Sequence, residues 1–125
     1  MVPQQPTIAE LPNFGFRQLG QWQMLRGKIK ARLNDRAEGA GWIYAFATGE
    51  RVRYFGISDR VIKSRFDEYR NQINDTVALR IQNVLVDGGT VSIFGVCSRD
   101  YEIPDLKAQE SHFIALFEAD WNVHQ

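Results

Sequence analysis

Apolar residues recur every three or four positions between Leu19 and Leu33. Leu19, Trp22, Leu25, Ile29 and Leu33 form one stripe, and the basic residues fall mostly off it. This spacing predicts an amphipathic helix in the N-terminal region. Gly20 and Gly27 oppose it by about 1 kcal/mol each. Residues 1–13 hold three of the four prolines and show no periodicity, so they read as an extended, poorly ordered arm. Glu38-Gly39-Ala40-Gly41 ends the helix. From there the pattern changes. Gly41–Ala47 and Arg51–Ile57 are rich in aromatic and β-branched residues and flank Thr48-Gly49-Glu50, which predicts a hairpin. Symmetry about Gly49 sets Tyr44 opposite Tyr54, with both rings on one side of the sheet.

Ser58-Asp59 reads as a turn and helix cap. Val61–Ile73 follows as a helix with Ile62, Phe66, Tyr69 and Ile73 on one face. Asn74-Asp75-Thr76 breaks it and caps a second helix, Val77–Val86. Asp87-Gly88-Gly89 turns the chain into a third strand, Thr90–Ser98. An irregular stretch leads to a last helix, Pro104–Ala119, with proline in its first turn. The expected architecture is α+β: a small, mainly antiparallel three-stranded sheet flanked by helices, in the order β-β-α-α-β-α, with an extra N-terminal helix. The chain divides into an arm and basic helix, 1–40, and a main domain, 41–125.

With 125 residues and 44 % apolar content, the chain can build a hydrophobic core without metal or disulfide staples. No apolar run approaches the ~20 residues of a membrane span. The N-terminus lacks the basic-then-apolar order of a secretory signal. The single cysteine, Cys97, sits in the apolar run Val91–Cys97 and reads as a reduced core residue. A cytoplasmic protein with no membrane partner is expected. The formal net charge is zero, but residues 17–36 carry a net of +5, residues 51–70 a net of +3 and residues 100–125 a net of −5. Local fields rather than the total steer a polyanion. Each run also has an ordinary reading as a solvated face.

Several residues stand out chemically. Two phenols on one sheet face, Tyr44 and Tyr54, can hold a water and a phosphate oxygen, or simply pack as a cross-strand aromatic pair. Glu110 falls in the middle of the stripe Leu106, Phe113, Phe117, with Ile114 beside it. A carboxylate there needs a cation, hydrogen-bond donors or a proton. A divalent metal is one solution and an internal arginine is another. Arg65 borders the apolar face of its helix one turn before Tyr69, and its planar fork suits a phosphate oxygen. Its ordinary reading is a surface arginine covering the core with its stem. Asn122 follows Trp121 past the last helix and could be a simple helix stop. His112 and Glu110 point to different sides of a helix and do not form a metal pair. No HExxH, CxxC or phosphate-cradling glycine loop is present.

Taken together, these residues resemble the GIY-YIG nucleases over about Gly41 to Val123. Trp42-Ile43-Tyr44 stands at the family's first motif and Tyr54-Phe55-Gly56 at its second. Arg65 matches the arginine of the following helix, Glu110 the lone glutamate of the last helix and Asn122 the closing asparagine. Two departures bear on rate and substrate grip rather than on the fold. Trp42 replaces a glycine, and the Ile57–Ser64 loop is one residue longer than the commonest form, with Ile57 at a place often held by a polar residue.

The resemblance implies a metal-dependent endonuclease hydrolysing DNA phosphodiesters with one Mg²⁺ or Mn²⁺. Glu110 would hold the metal, Tyr44 would relay or accept a proton, Tyr54 would orient water or phosphate, Arg65 would neutralise transition-state charge, and Asn122 would brace the site. Candidate contacts to the nucleic acid are Arg51, Arg53, Arg60, Lys63, Arg26, Lys28 and Lys30. Only three residues follow Asn122, so no downstream targeting domain is expected on this chain. Double-strand cleavage would need a homodimer or two visits. The alternative is a non-catalytic nucleic-acid- or protein-binding module on the same fold.

Overall fold

The computed structural model describes residues 6–35, 37–71, 76–98 and 105–122, with the side chains of 70 and 71 left aside. The expected contributions of Arg36, Ile73, Asn74-Asp75, Pro104 and His124 lie outside the described residues. The architecture is α+β, as the periodicity implies, but the sheet has five antiparallel strands rather than three. They are β1 (Arg17–Leu25), β2 (Lys28–Leu33), β3 (Ala40–Thr48), β4 (Arg51–Val61) and β5 (Ser92–Cys97), in the order β2-β1-β5-β3-β4.

The two extra strands replace the expected N-terminal helix. The segment from Arg17 to Leu33 is a tight hairpin in which Leu25 pairs with Lys28 around Arg26-Gly27. Both turn residues have positive φ, 53° and 79°, as a type I′ turn demands. The apolar residues also satisfy a period of two on each side of this turn. Trp22 and Met24 on β1, and Ile29, Ala31 and Leu33 on β2, all pack toward one core. A Cβ on Gly20 would lie 1.9 Å from the Arg32 carbonyl oxygen, so this glycine permits the close strand approach. The described part of the arm, from residue 6 on, is more ordered than its composition implies. Ile8–Phe14 form a 3-10 helix started by the Thr7 side chain, and Leu11 is fully buried. Because β1 pairs with β5, residues before 41 share one sheet with those after it.

The β3–β4 hairpin forms where expected, with a different register. Thr48 pairs with Arg51 around Gly49-Glu50, and a bulge at Arg53 shifts the ladder further. Tyr44 therefore faces Gly56, and Phe46 faces Tyr54. The displacement is two residues, so both phenols still leave the same face. Ser58-Asp59 does not end the strand. Ser58 folds back on Arg60 through two hydrogen bonds, of 3.0 and 3.2 Å, within a second irregularity of β4.

Helix α1 (Ile62–Asn71) starts directly after β4, followed by α2 (Thr76–Val86) and α3 (Leu106–Phe117). The Asp105 side chain caps α3 by accepting from the Ala108 N–H. Helix α1 touches both edge strands, β2 and β4, so the sheet curls around it. That concave side holds a core of Trp22, Tyr44, Phe46, Phe66, Tyr69 and Ile81 among others. On the other side Ile43, Ala45, Phe55, Phe113 and Phe117 form a second core beneath α3. Cys97 is buried in the first core, as its surroundings predict.

Candidate active site

Tyr44 lies at the centre of the sheet, between Gly56 on β4 and Gly95 on β5. A Cβ on Gly56 would lie 2.4 Å from Cζ of Tyr44 and 2.5 Å from its hydroxyl. The glycine of Tyr54-Phe55-Gly56 is thus the floor on which the Tyr44 phenol lies. Phe66 meets the Tyr44 ring edge-on at 5.0 Å between centroids. The ring is completely buried, and its hydroxyl points at α1.

There it meets Tyr69. The two phenol oxygens are 2.8 Å apart, and Tyr69 in turn donates to the Tyr54 hydroxyl at 3.4 Å. Tyr69 has one proton to give, so with that proton directed to Tyr54 the Tyr44 hydroxyl donates to Tyr69. The chain runs Tyr44, Tyr69, Tyr54, from the buried interior to a half-buried ring. Arg65 sits one helical turn before Tyr69, with Nη2 3.4 Å from the Tyr69 oxygen and Cζ 4.6 Å above the Tyr69 ring. The second guanidinium nitrogen bonds Glu68 at 3.1 Å, and Glu68 also pairs with Arg60.

These contacts set the charge states. Burial, reinforced by the neighbouring Tyr54, pushes the Tyr44 phenol well above its ordinary range, and the opposing pull of Arg65 does not reverse this. Burial, with Tyr44 and Tyr54 beside it, raises the Tyr69 phenol further. Both phenols stay protonated at neutral pH. Burial acts to lower the Arg65 pKa, but Tyr44, Tyr69, Tyr54 and Glu68 together raise it, so the guanidinium is charged. Hydrogen bonding from Arg60 holds the Glu68 carboxyl below its usual range.

The structure therefore brings together Tyr44, Tyr54 and Arg65 from three elements, and adds Tyr69 and Glu68. Sequence reasoning placed Tyr69 only in the core. The signal was its position one turn after Arg65 on the face turned toward the sheet. Glu110 lies half-buried on α3, within the stripe that buries Phe113 and Phe117. Helix α3 packs on β4 and β3 across the sheet from the phenols, so Glu110 approaches β4 from the other face. Asn122 is a brace of defined geometry. Its carboxamide accepts from the Phe55 N–H and donates to the Phe55 carbonyl, both at 2.8 Å. It occupies the outer edge of β4 like a short extra strand, inside the second motif. Arg53 bonds Thr48 and Asp120, each at 2.8 Å, and Arg51 lies 3.7 Å from Asp120, so both are engaged within the protein. Lys63 is exposed, and Arg26, Lys28 and Lys30 ride on the β1–β2 hairpin.

Among the described residues no three His, Cys, Asp or Glu side chains gather into a metal-binding group. A single half-buried carboxylate such as Glu110 would suit an ion that takes one carboxylate and keeps several waters, as Mg²⁺ does, and not one that needs a protein cage.

The architecture that carries these residues is similar to that of a nuclease of the GIY-YIG type. Bacteriophage T4 EndoII, a GIY-YIG-type nuclease, has this fold: a mutant of it superposes with a TM-score of 0.71 at 19 % identity, covering 92 % of this chain and 97 % of that one. No family model and no curated protein matches the sequence. No helix among the described residues is long and apolar enough to cross a membrane.

Proposed function

We infer that this protein is a metal-dependent endonuclease that hydrolyses DNA phosphodiester bonds. The observation that carries the reading is the Tyr44–Tyr69–Tyr54 hydroxyl chain with the Arg65 guanidinium beside it. Nothing in fold packing requires three phenols and a cation to converge on so small a region. The EndoII-like fold supports the class, since that protein is a nuclease.

β4 is the outermost strand of the sheet, so a phosphate lying across its rim would be met by Tyr54 and Arg65 from one face and by Glu110 from the other. Tyr54 and Arg65 are half-buried and stand at the mouth of the cluster. Arg65 binds the phosphate through its planar fork, exchanging part of its Glu68 contact for a phosphate oxygen, and neutralises charge that builds on the transition state. Tyr54 orients the attacking water. Tyr44 is a protonated, buried phenol, so it acts as a positioning group that fixes the hydroxyl chain, not as a phenolate base. Tyr69 carries that hydrogen bonding to Tyr54 and holds Arg65 over its ring. Glu110 would hold the divalent cation, Mg²⁺ or Mn²⁺, and the ion would supply polarisation of the scissile phosphate and stabilisation of the leaving oxygen. Asn122 fixes Phe55 and so the adjoining Tyr54.

The test is nicking of supercoiled plasmid with Mg²⁺, Mn²⁺ or EDTA, using wild type, Glu110→Ala and Tyr54→Phe. Cleavage that needs metal and falls at least 100-fold in Glu110→Ala is expected. Cleavage indifferent to Glu110→Ala, or absent with every metal, overturns the reading. The complete burial of Tyr44 favours a second reading, a module that binds nucleic acid without cutting. Retention of DNA with no nicking under any metal would establish it.

A further inference from the structure

The β1–β2 hairpin has one face in the core and one outside. Trp22, Ile29 and their neighbours face inward. The outward row is formed by cross-strand pairs: Gln21 with Arg32, Gln23 with Lys30, and Leu25 with Lys28. Arg32, Lys30, Lys28 and Gln21 are exposed. Among the described residues the ion pairs involve Arg51, Arg53, Arg60 and Arg65, and none of these three cations. No Asp or Glu occurs from residue 11 to residue 34. The tip adds a further cation. Arg26 holds φ at 53°, a conformation that asparagine or glycine would adopt at lower cost. The fold thus tolerates local strain to keep a guanidinium at the apex.

We propose that this hairpin is a DNA-reading ribbon that enters the major groove of B-form duplex, with Lys28, Lys30 and Arg32 on the phosphates and Gln21 and Gln23 turned to base edges. Two strands about 4.8 Å apart, with their side chains, are about as wide as the ~12 Å major groove. Glutamine carries the donor and acceptor that adenine presents there, and arginine at the end of the row can reach either phosphate or guanine. An A-form RNA duplex has a deep, narrow major groove that does not admit such a ribbon, so the geometry selects DNA. The proposal supplies the substrate class for the nuclease reading and deepens it, but it does not depend on cleavage.

Binding is therefore measured in EDTA, by fluorescence anisotropy, on a 20-base-pair DNA duplex and the same sequence as RNA. Wild type should prefer the DNA at least tenfold. A variant combining Lys28→Gln, Lys30→Gln and Arg32→Gln should lose roughly 10- to 100-fold in affinity near physiological salt. Its slope of log affinity against log salt should shrink by about three, one unit per lost phosphate contact. Its melting temperature should stay close to wild type, because the substituted side chains are exposed. Methylation of guanine N7 should interfere with binding, and Gln21→Ala with Gln23→Ala should relax the preference selected from a randomised duplex pool. Unchanged affinity and salt slope in the folded triple variant, equal binding of RNA, or indifference to N7 methylation each overturn the proposal. Intact binding with no cleavage in Mg²⁺ or Mn²⁺ would sink the hydrolase reading and leave the ribbon standing.

Discussion

Gly56→Ala tests the central packing of the site. Its single added carbon would sit 2.4 Å from Cζ and 2.5 Å from the hydroxyl of Tyr44, against an optimal separation of about 3.5–4.0 Å. The overlap is therefore more than 1 Å. The Tyr44 ring is fully buried, with Phe46 and Phe66 against it and Tyr69 at its tip, so it cannot swing aside into solvent. Overpacking of this kind costs about 1–3 kcal/mol, and the gain from replacing a strand glycine returns roughly 0.5–1 kcal/mol. Because the ring cannot move away, the cost falls at the upper end of that range, about 3 kcal/mol, and a net loss of about 2 kcal/mol follows. For a domain of this size that is roughly 8 °C in melting temperature. Thermal and urea unfolding of Gly56→Ala measure it, and Tyr44→Val provides the control. Removing the ring removes the clash, so Gly56→Ala should cost almost nothing in the Tyr44→Val background, a coupling of about 2 kcal/mol. A Gly56→Ala protein within 0.5 kcal/mol of wild type, or an equal cost in both backgrounds, would refute the reasoning.

Three other perturbations probe the same structure. Tyr69→Phe leaves the buried Tyr44 hydroxyl unpaired and should cost about 1–3 kcal/mol, while the Tyr44→Phe/Tyr69→Phe double variant should recover most of it; urea titrations of all three decide. Plasmid nicking by Tyr69→Phe should fall more than its stability explains, because Arg65 and Tyr54 both lose a partner. Asn122→Ala strands the Phe55 N–H and carbonyl at the β4 edge and should lose about 2–4 kcal/mol by thermal melt, with Asn122→Asp intermediate because it keeps the acceptor and loses the donor. The raised phenols predict alkaline sensitivity. Tyr44 and Tyr69 hold their protons in the fold above the pH, about 10, at which unfolded tyrosines release them. Stability is therefore full below pH ~10 and falls above it by up to about 2.7 kcal/mol per pH unit, one proton for each phenol. A melting temperature flat through pH 11 would contradict this, and Tyr69→Phe should reduce the slope.

The hairpin β3–β4, the helices α1 to α3 and the strand β5 were legible because their periods are unambiguous. Aromatic and β-branched residues alternate around Gly49, and the helical stripes run several turns. The N-terminal segment was not legible by the same rule. Leu19, Trp22, Leu25, Ile29 and Leu33 satisfy a helical spacing, yet Trp22, Met24, Ile29, Ala31 and Leu33 satisfy a strand spacing once the chain reverses at Arg26-Gly27. The decisive signal was the pair of glycines. Gly27 supplies half of a type I′ turn, and Gly20 admits the Arg32 carbonyl, whereas in a helix both would only destabilise. Register was beyond the sequence for a similar reason, since the bulge at Arg53 depends on its reach to Thr48 and Asp120.

The site was legible as a set of residue types and not as a circuit. Tyr44, Tyr54, Arg65 and Asn122 stand out by motif, but their division of labour depends on depth, which periodicity does not encode. Burial makes Tyr44 a protonated anchor, while Tyr54 and Arg65 stay half-buried at the mouth of the cluster. It also promotes Tyr69, which looks in sequence like one more core aromatic, to the residue through which the others are joined. Gly56 belongs to the same logic. A motif glycine is usually read as backbone freedom, yet here its value is the volume it vacates for a phenol. An aromatic hydroxyl cluster needs a flat floor, a donor beneath and a cation beside it. The chain supplies these from β4, α1 and Arg65, within a stretch of residues from 54 to 69.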